Sequence, residues 1–268
     1  MDLGLKDKVA MVTGASRGIG HAIALTLAAE GAALALCSRT EKEIKEIAKK
    51  IPLRYGTKVY AEAWDLTKAD AVEGFVEDSV KAMGRIDILV NNVGRGLTRP
   101  FDDLTEEDWK ETLEKNFWVA LRSCRAVIPL MKGQGEGKII NIAALSGKIP
   151  RRGQIGSNAA KAALINLTEG LACEVGSYGI RVNAVCPAAI LTERWQERVQ
   201  KIAEGRGQDY GATLEELAHA KIPVGRFGAP EDVASLVALL ASDKSDFING
   251  VAVEVDGGLG RSVTLEIK

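Results

Sequence analysis

The chain has 268 residues, a formal net charge of -1 and 46% hydrophobic residues. A chain of this length can fold as one domain over 1–268 around a sizeable apolar core. Because Lys and Arg nearly balance Asp and Glu, the composition gives no reason to expect nucleic acid or an anionic membrane as partner. The scattered cysteines and the two histidines argue against a disulfide framework and against a metal centre.

The N-terminal residues lack the basic start and the apolar run of a signal peptide. No later segment is apolar for long enough to span a bilayer. We therefore expect a cytoplasmic protein that does not insert into membranes.

Short apolar runs alternate with longer amphipathic stretches along the chain. The apolar runs predict strands at residues 9–12, 33–37, 59–63, 88–91, 138–142, 181–186 and 251–255. The amphipathic stretches predict helices at residues 21–30, 41–51, 71–83, 106–131, 158–175 and 230–241. This alternation is typical of repeated βα units, so we predict a doubly wound α/β fold with one parallel sheet covered by helices on both faces.

One segment departs from this alternation. Residues 193–228 are charged, contain Gly205, Gly207 and Gly211, and lie between the sixth strand and the last predicted helix. Loops of this length in compact domains are usually either functional or disordered. We interpret the segment as a substrate lid or loop, with an ordinary surface insertion as the alternative.

The first predicted strand runs into a glycine-rich turn and then directly into a helix. The turn has the sequence Thr13-Gly14-Ala15-Ser16-Arg17-Gly18-Ile19-Gly20. Backbone N–H groups and the positive end of a helix dipole meet at such a turn, where a dinucleotide's pyrophosphate can bind. Gly14 permits the tight turn, Gly18 lets the backbone approach the phosphates, and Gly20 lets the helix pack close to the sheet.

With the spacing T-G-x-x-x-G-x-G, this turn resembles the signature of the short-chain dehydrogenase/reductase family. Further matches follow in the family's order, so that the resemblance covers about residues 6–258. They are Asp65-Leu66, Asn91-Asn92-Val93-Gly94, Asn116, Lys161, Arg181-Val182-Asn183 with Pro187, and Asp256-Gly257-Gly258. The resemblance implies a Rossmann fold with a nicotinamide cofactor.

The resemblance also assigns cofactor contacts along the chain. It implies that Asp65 and Leu66 contact the adenine, and that Asn92 and Gly94 line the ribose. Thr192 would meet the carboxamide side of the nicotinamide. It ends a cofactor-binding segment that includes Pro187 and Ile190.

The end of the second strand indicates which nicotinamide cofactor is bound. Family members that prefer NAD carry an aspartate where this chain has Ser38, because a carboxylate binds the ribose 2′-hydroxyl and repels a 2′-phosphate. Arg39, aided by Arg17, offers guanidinium groups suited to that phosphate. We therefore predict that NADP(H) is preferred over NAD(H). The alternative is that both arginines are solvated surface residues.

The family's proton-transfer residues are only half present. The usual set is a tyrosine that exchanges the proton, a lysine four residues later that also holds the nicotinamide ribose, a serine and an asparagine. Lys161 and Asn116 match, but Ser157 stands at the tyrosine position and Ala144 at the serine position. A serine hydroxyl is a far weaker acid than a phenol, whose pKa is about 10. One substitute is protonated Lys161 donating through Ser157 or water, and another is Ser146, whose alternative role is that of a turn residue.

Two branches of the family resemble this altered pattern. The 2,4-dienoyl-CoA reductases also have serine four residues before lysine, but their mitochondrial type carries a compensating tyrosine where this chain has Ser146. Bacterial proteins similar to 3-oxoacyl-carrier-protein reductase carry Ser-Asn-Ala-Ala before the basic residue. Residues 157–161 resemble this second group more closely.

The loops after the strands carry an excess of basic residues. Such loops form the binding crevice of an open parallel sheet. The candidate substrate-binding residues among them are Arg95, Lys148, Arg151, Arg152 and Arg194. We expect an anionic substrate, such as a carboxylate, a phosphate ester or an acyl-CoA. The alternative is that these charges are solvated and paired with neighbours such as Asp102 and Glu193.

The sequence thus predicts an NADP(H)-dependent oxidoreductase that acts on a carbonyl, alcohol or enoyl substrate through a non-standard proton donor. One alternative is a cofactor-binding homologue with little or no redox turnover, acting as a regulator or scaffold. Another is an isomerase or lyase. The family resemblance further implies a homodimer or homotetramer, with residues 158–175 supplying one interface.

Overall fold

The computed structural model describes residues 2–261, which form a seven-stranded parallel sheet. The strand order is β3-β2-β1-β4-β5-β6-β7. The strands are β1 Val9–Thr13, β2 Ala33–Ser38, β3 Val59–Ala63, β4 Ile88–Asn91, β5 Gly137–Ile142, β6 Ile180–Pro187 and β7 Ala252–Val255. The predicted doubly wound fold is confirmed. The expected domain range of 1–268 includes residues 1 and 262–268, which lie outside the described part of the chain.

Helices connect the strands and cover both faces of the sheet. They are α1 Gly18–Ala29, α2 Glu41–Tyr55, α3 Ala71–Met83, α4 Glu106–Leu113, α5 Val119–Gln134, α6 Ile155–Val175, α7 Glu193–Arg206, α8 Tyr210–Lys221 and α9 Pro230–Ala241. Within residues 2–261, none of them combines the length and the apolar content that crossing a bilayer requires.

Alternating side chains of the strands feed two apolar layers on opposite sides of the sheet. Ala10 and Val12 of β1 pack with α1 and α9 on one side, whereas Met11 packs with α3 and α5 on the other. Because helices cover both faces, every residue of β1 is buried. Burial of apolar surface stabilises the fold by about 25 cal/mol per Å². The two packed layers therefore hold the strand ends in fixed positions.

The helix predicted at 106–131 is interrupted. A π-helical turn at Glu114–Trp118 separates α4 from α5, and Asn116 lies in it. Its side-chain amide donates to the main-chain oxygen of Thr112 at 2.9 Å and to that of Arg95 at 3.0 Å. A single π-helical turn changes the hydrophobic period over only a few residues, so the sequence pattern does not reveal the break.

The segment 193–228 is helical rather than a loop. It contains α7 and α8, and its glycines lie near the break between them. Gly207, with φ of 64°, ends α7, and the side chain of Asp209 caps α8 by accepting from the N–H of Ala212 at 3.1 Å. The role of this segment as a lid remains a prediction.

Candidate active site

A cleft of about 1000 Å³ opens at the carboxyl end of the sheet. It lies beside β1 and β4, where the strand order changes direction, which is the usual ligand site of an open parallel α/β sheet. The expected cofactor-binding residues that line it are Gly14, Ser16, Arg17, Ile19, Ser38, Arg39, Asp65, Leu66, Asn92, Gly94, Lys161, Pro187, Ile190 and Thr192. The expected proton-transfer residues that line it are Asn116, Ser146, Ser157 and Lys161.

The glycine-rich turn forms a cradle of main-chain atoms at the start of α1. Gly14 and Gly18 have φ of 66° and 55°, a region that side chains disfavour. A Cβ on Gly20 would lie 2.3 Å from the oxygen of Gly14, so only glycine fits there. Arg17 occupies the N-cap position without a side-chain cap, which leaves the first amides of α1 unused by a capping side chain. The helix begins at Gly18, three residues before the predicted start.

Thr13 supports this cradle from beneath and does not line the cleft. Its buried hydroxyl donates to the oxygen of Val90 at 3.3 Å and accepts from the N–H groups of Asn92 and Val93 at 3.0 and 3.3 Å. The Asn92 amide donates in turn to the oxygens of Thr13 and Gly14 at 3.1 and 3.0 Å. These bonds join the end of β1 to the end of β4. Direct contact between Thr13 and the cofactor stays a prediction.

The end of β2 presents cations and no carboxylate at position 38. Ser38 is buried, and its hydroxyl donates to the oxygen of Thr40 at 3.2 Å. Arg39 and Arg17 are exposed and line the same part of the cleft. A phosphate placed here would meet guanidinium groups without a neighbouring carboxylate from residue 38.

Asp65 lines the cleft just after β3 and remains ionised. Burial acts to raise the pKa of its carboxyl, but hydrogen bonds from Thr67 and the charges of Lys68 and Arg39 outweigh it and lower the pKa. The Thr67 hydroxyl donates to Asp65 Oδ1 at 2.7 Å, and the Thr67 N–H donates to the same oxygen at 3.2 Å. These bonds leave the carboxylate fixed as an acceptor at the end of β3.

Lys161 lies buried on the floor of the cleft. Its Nζ donates to the main-chain oxygen of Ile142 at 2.8 Å. A Cβ placed on Gly94 would lie 3.0 Å from Lys161 Nζ and 2.9 Å from Asn116 Oδ1, so both atoms border one point that no side chain occupies. Burial lowers the pKa of Lys161 from 10.5 to about 8.

Ser157 lies one helical turn before Lys161 on α6, and its hydroxyl faces the same cleft. Its Oγ accepts a hydrogen bond from the N–H of Leu97 at 2.9 Å, which leaves the hydroxyl proton available as a donor. Ala144 and Ser146, which follow the end of β5, also line the cleft. The tyrosines, which all lie outside the cleft lining, are Tyr55, Tyr60, Tyr178 and Tyr210. No phenol of the described residues therefore lines the cleft.

Asn116 acts as a brace between the π-helical turn and the loop after β4. Besides the two bonds that its amide donates, its Oδ1 accepts from the N–H of Arg95 at 3.1 Å. Both of its N–H groups are thus used by main-chain oxygens. The side chain holds the loop in place beside Lys161.

The sequence matches the family described as enoyl-(acyl carrier protein) reductase over residues 14–260. The chain belongs to the short-chain dehydrogenase/reductase family. It is 34% identical over 255 residues to the 3-oxoacyl-(acyl-carrier-protein) reductase FabG of Thermotoga maritima, which covers 95% of this chain and 98% of that protein.

Two oxidoreductases of known structure resemble this protein over nearly their whole length. The L-sorbose reductase of Gluconobacter frateurii, solved with NADPH and L-sorbose, has a TM-score of 0.94 and 34% identity, covering 98% of this chain and 100% of that one. An NADPH-bound short-chain oxidoreductase of Pseudomonas aeruginosa, described as containing an atypical catalytic centre, has a TM-score of 0.88 and 31% identity. It covers 94% of this chain and 96% of that one. Both of these solved relatives are oxidoreductases with NADPH bound.

Four arginines line the end of the cleft that lies away from Ser38. Three of them, Arg95, Arg151 and Arg194, were expected from the sequence. The fourth, Arg198, was missed because α7 was not predicted, although an i, i+4 spacing from Arg194 would have placed the two on one helix face.

Two basic residues expected in the cleft lie outside its lining. The Nζ of Lys148 donates to the oxygen of Ala252 at 2.7 Å and to Glu254 Oε1 at 2.9 Å. These contacts direct the lysine toward β7. Arg152 also lies outside, although its neighbour Arg151 lines the cleft. Sequence proximity to the strand end was therefore a poor guide at these two positions.

Proposed function

We propose that this protein is an NADP(H)-dependent oxidoreductase that interconverts a carbonyl, or an enoyl group, and its reduced form. The glycine cradle is the observation that supports the proposal most directly. A Cβ on Gly20 would clash with the Gly14 oxygen, so no side chain can stand between the start of α1 and the cleft. The residues present fit a dinucleotide's pyrophosphate at this point. When bound, the cofactor supplies a hydride to the substrate carbon or accepts one from it.

The preference for NADP(H) follows from the charges at the end of β2. Arg39 and Arg17 would hold the 2′-phosphate, and Ser38 leaves no carboxylate to repel it. Asp65 and Leu66 would contact the adenine, in keeping with their place in the cleft lining. The NADPH carried by the L-sorbose reductase and by the Pseudomonas aeruginosa oxidoreductase supports this choice.

Lys161 is the proton source in this proposal. Reduction of a carbonyl adds a hydride to its carbon and a proton to its oxygen. With a pKa lowered to about 8, Lys161 is protonated at neutral pH and releases its proton more readily than an exposed lysine does. The Ser157 hydroxyl donates its proton to the substrate oxygen and takes one from the Lys161 ammonium, directly or through water. Lys161 is then neutral and regains a proton from solvent.

Two further residues assist this transfer. Asn116 is a positioning residue, because its amide bonds fix the loop that carries Arg95 and Gly94 beside Lys161. Ser146 supplies a second hydroxyl in the cleft, which in this proposal hydrogen-bonds to the substrate oxygen in place of the serine absent at Ala144. Neither role requires a phenol.

A cofactor-binding protein with little redox turnover is the second candidate function. Ala144 removes the substrate-polarising hydroxyl and Ser157 removes the phenol, and both losses favour this reading. An isomerase or lyase that keeps the cofactor without net redox is the third candidate. All three candidates share the glycine cradle, so they differ only in whether a reaction takes place beside Lys161 and in whether that reaction is a net redox reaction.

Turnover assays separate these candidates. NADPH oxidation is followed at saturating cofactor with a panel of ketones, aldehydes, oxo acids, oxo phosphate esters and enoyl thioesters, and the oxidoreductase is expected to turn over at least one class. Lys161→Ala is expected to abolish that turnover, whereas Lys49→Ala, an exposed substitution on α2 outside the cleft, is expected to leave it unchanged. NADPH binding without turnover of any panel member contradicts the oxidoreductase and supports the binding protein.

We also propose that the protein assembles as a homodimer or homotetramer in the cytoplasm. The exposed face of α6 supports the assembly, since Ala159, Ala162 and Gly170 are small and would let a second helix approach closely. Light scattering on the purified protein is expected to give a mass that is two or four times that of the chain. A monomer at micromolar concentration contradicts this expectation.

A further inference from the structure

Four arginines meet at the end of the cleft away from Ser38. This arginine cluster consists of Arg95 from the loop after β4, Arg151 from the loop before α6, and Arg194 and Arg198 from α7. All four side chains are exposed to solvent at the cleft mouth. The positive charge of this region therefore comes from three separate segments of the chain.

The cluster is not neutralised by the protein. The carboxylates of the described residues that line the cleft are Glu43 and Asp65, and both follow strands at the adenosine end. Within residues 2–261, none of the four guanidinium groups forms an ion pair. By contrast, Arg206 of the same α7 is paired with Glu216 at 3.1 Å.

Holding these charges together has a cost. Partial desolvation and the neighbouring charges of Arg95 and Arg198 lower the pKa of Arg194, and desolvation and Arg198 lower that of Arg151. Like charges at i, i+4 on a helix repel each other, and a cation in the first turn of α7 opposes the helix dipole. The described residues supply no ion pair that offsets this repulsion, so a negative ligand is the simplest reason for the arrangement.

Neutral contacts hold two of the guanidinium groups in place. Arg194 Nη2 donates to the main-chain oxygen of Gly96 at 2.9 Å. The Arg198 guanidinium lies 4.9 Å from the ring centroid of Trp195, and that ring packs against Phe227 with centroids 5.3 Å apart. These contacts orient the side chains and leave their charge available.

The cluster lies next to the proton-transfer residues. A Cβ placed on Gly96 would lie 3.8 Å from Ser157 Oγ and 4.0 Å from Arg194 Nη1. The two groups thus border the same open space beside Gly96. A small substrate can contact both at once.

We propose that the arginine cluster binds an anionic group of the substrate, a carboxylate or a phosphate, that lies within a few bonds of the reacting carbonyl. Arg194 contacts the anion closest to Ser157, and Arg95, Arg151 and Arg198 surround it. Bidentate hydrogen bonds from guanidinium groups suit both anions. The proposal rests on the oxidoreductase function proposed above, and it limits the substrates to small oxo acids and oxo phosphate esters.

Binding of matched neutral and anionic compounds tests the proposal without requiring turnover. Calorimetry on the NADP+-loaded protein compares acetoacetate with methyl acetoacetate, and dihydroxyacetone phosphate with dihydroxyacetone. The anion of at least one pair is expected to bind about tenfold or more tightly than its neutral partner. The pair that responds distinguishes a carboxylate from a phosphate. Equal or undetectable binding of the anion and its partner in both pairs overturns the proposal.

Single substitutions then assign the effect to the cluster. Arg194→Gln and Arg198→Gln are each expected to weaken binding of the preferred anion about tenfold and to leave NADP+ binding unchanged. Arg206→Gln is the matched control, because it lies on the same helix but outside the cleft. Anion binding that survives both cluster substitutions, or that weakens equally in the control, overturns the proposal.

A preceding titration with NADP+ separates this proposal from the function on which it rests. Absence of NADP+ uptake contradicts the oxidoreductase, and the anion titrations are then carried out on the protein alone with the same criteria. Uptake of NADP+ without preference for either anion contradicts only the role of the arginine cluster.

Discussion

The ammonium of Lys161 donates a hydrogen bond to the main-chain oxygen of Ile142 at 2.8 Å. The lysine belongs to α6, and the oxygen belongs to the last residue of β5, so the bond ties the helix to the carboxyl end of the sheet. The amine is buried, and its pKa is lowered to about 8. A lysine side chain is therefore held at a fixed point of the cleft.

The first prediction concerns the pH dependence of reduction. Because protonated Lys161 supplies the proton in the proposed reaction, kcat/KM for carbonyl reduction is expected to fall as pH rises through about 8. Lys161→Met is expected to lower kcat/KM by about a hundredfold or more and to remove this inflection. Steady-state NADPH oxidation between about pH 6 and pH 9.5 measures both effects. A wild-type profile that is flat across this range contradicts the assignment.

The second prediction concerns the pH dependence of stability. The pKa of Lys161 is about 8 in the folded protein, against an ordinary value of 10.5. Between these values the unfolded chain binds more protons than the folded one, so the free energy of unfolding rises with pH. Urea unfolding measures this effect. Between pH 7.5 and pH 10, the free energy of unfolding of the wild type is expected to increase by about 2 kcal/mol relative to that of Lys161→Met. A difference between the two proteins that stays constant with pH shows that the amine is not buried.

The third prediction concerns cofactor selection at the end of β2. Arg39→Gln is expected to weaken NADPH binding about tenfold to a hundredfold, since charged hydrogen bonds contribute about 1.5–3 kcal/mol. NADH lacks the 2′-phosphate, so its affinity is expected to stay unchanged. Ser38→Asp is expected to favour NADH further. Fluorescence titration with both coenzymes measures the ratio, and equal losses for NADPH and NADH contradict the prediction.

The fourth prediction separates the hydroxyl of Ser157 from its bulk. Ser157→Ala leaves the Leu97 N–H without its acceptor and is expected to lower stability by about 1 kcal/mol. It is also expected to lower kcat by about tenfold to a hundredfold, whereas Ser157→Thr keeps a hydroxyl and most of the activity. Ser235→Ala, on exposed α9 surface, serves as the control. Full kcat in Ser157→Ala shows that Lys161 donates without it.

Local pattern was enough to predict the sheet. Each strand was predicted to within one residue at either end, because a parallel strand buried on both faces reads as a short apolar run between turn residues. The glycine cradle was also predicted from local sequence. The positive φ of Gly14 and Gly18 and the contact at Gly20 require glycine itself.

Contacts distant in sequence account for the rest. Lys148 lies after β5 as expected, but its partner Glu254 is 106 residues away, and no local pattern indicates that pairing. The glycines of 193–228 suggested a loop, yet Gly207 ends α7 and Gly211 lies within α8. Because α7 was not predicted, the sequence did not indicate that Arg194 and Arg198 lie on the same face of one helix.

Calorimetric titration with NADPH is the most direct measurement of the dinucleotide cradle. The wild type is expected to bind NADPH at least about tenfold more tightly than NADH. Gly20→Ala places a Cβ 2.3 Å from the Gly14 oxygen and is expected to abolish binding, whereas Gly133→Ala on α5 meets open space and leaves it unchanged. No uptake of either coenzyme by the folded wild type at millimolar concentration, or undiminished uptake by folded Gly20→Ala, would contradict the cradle's role.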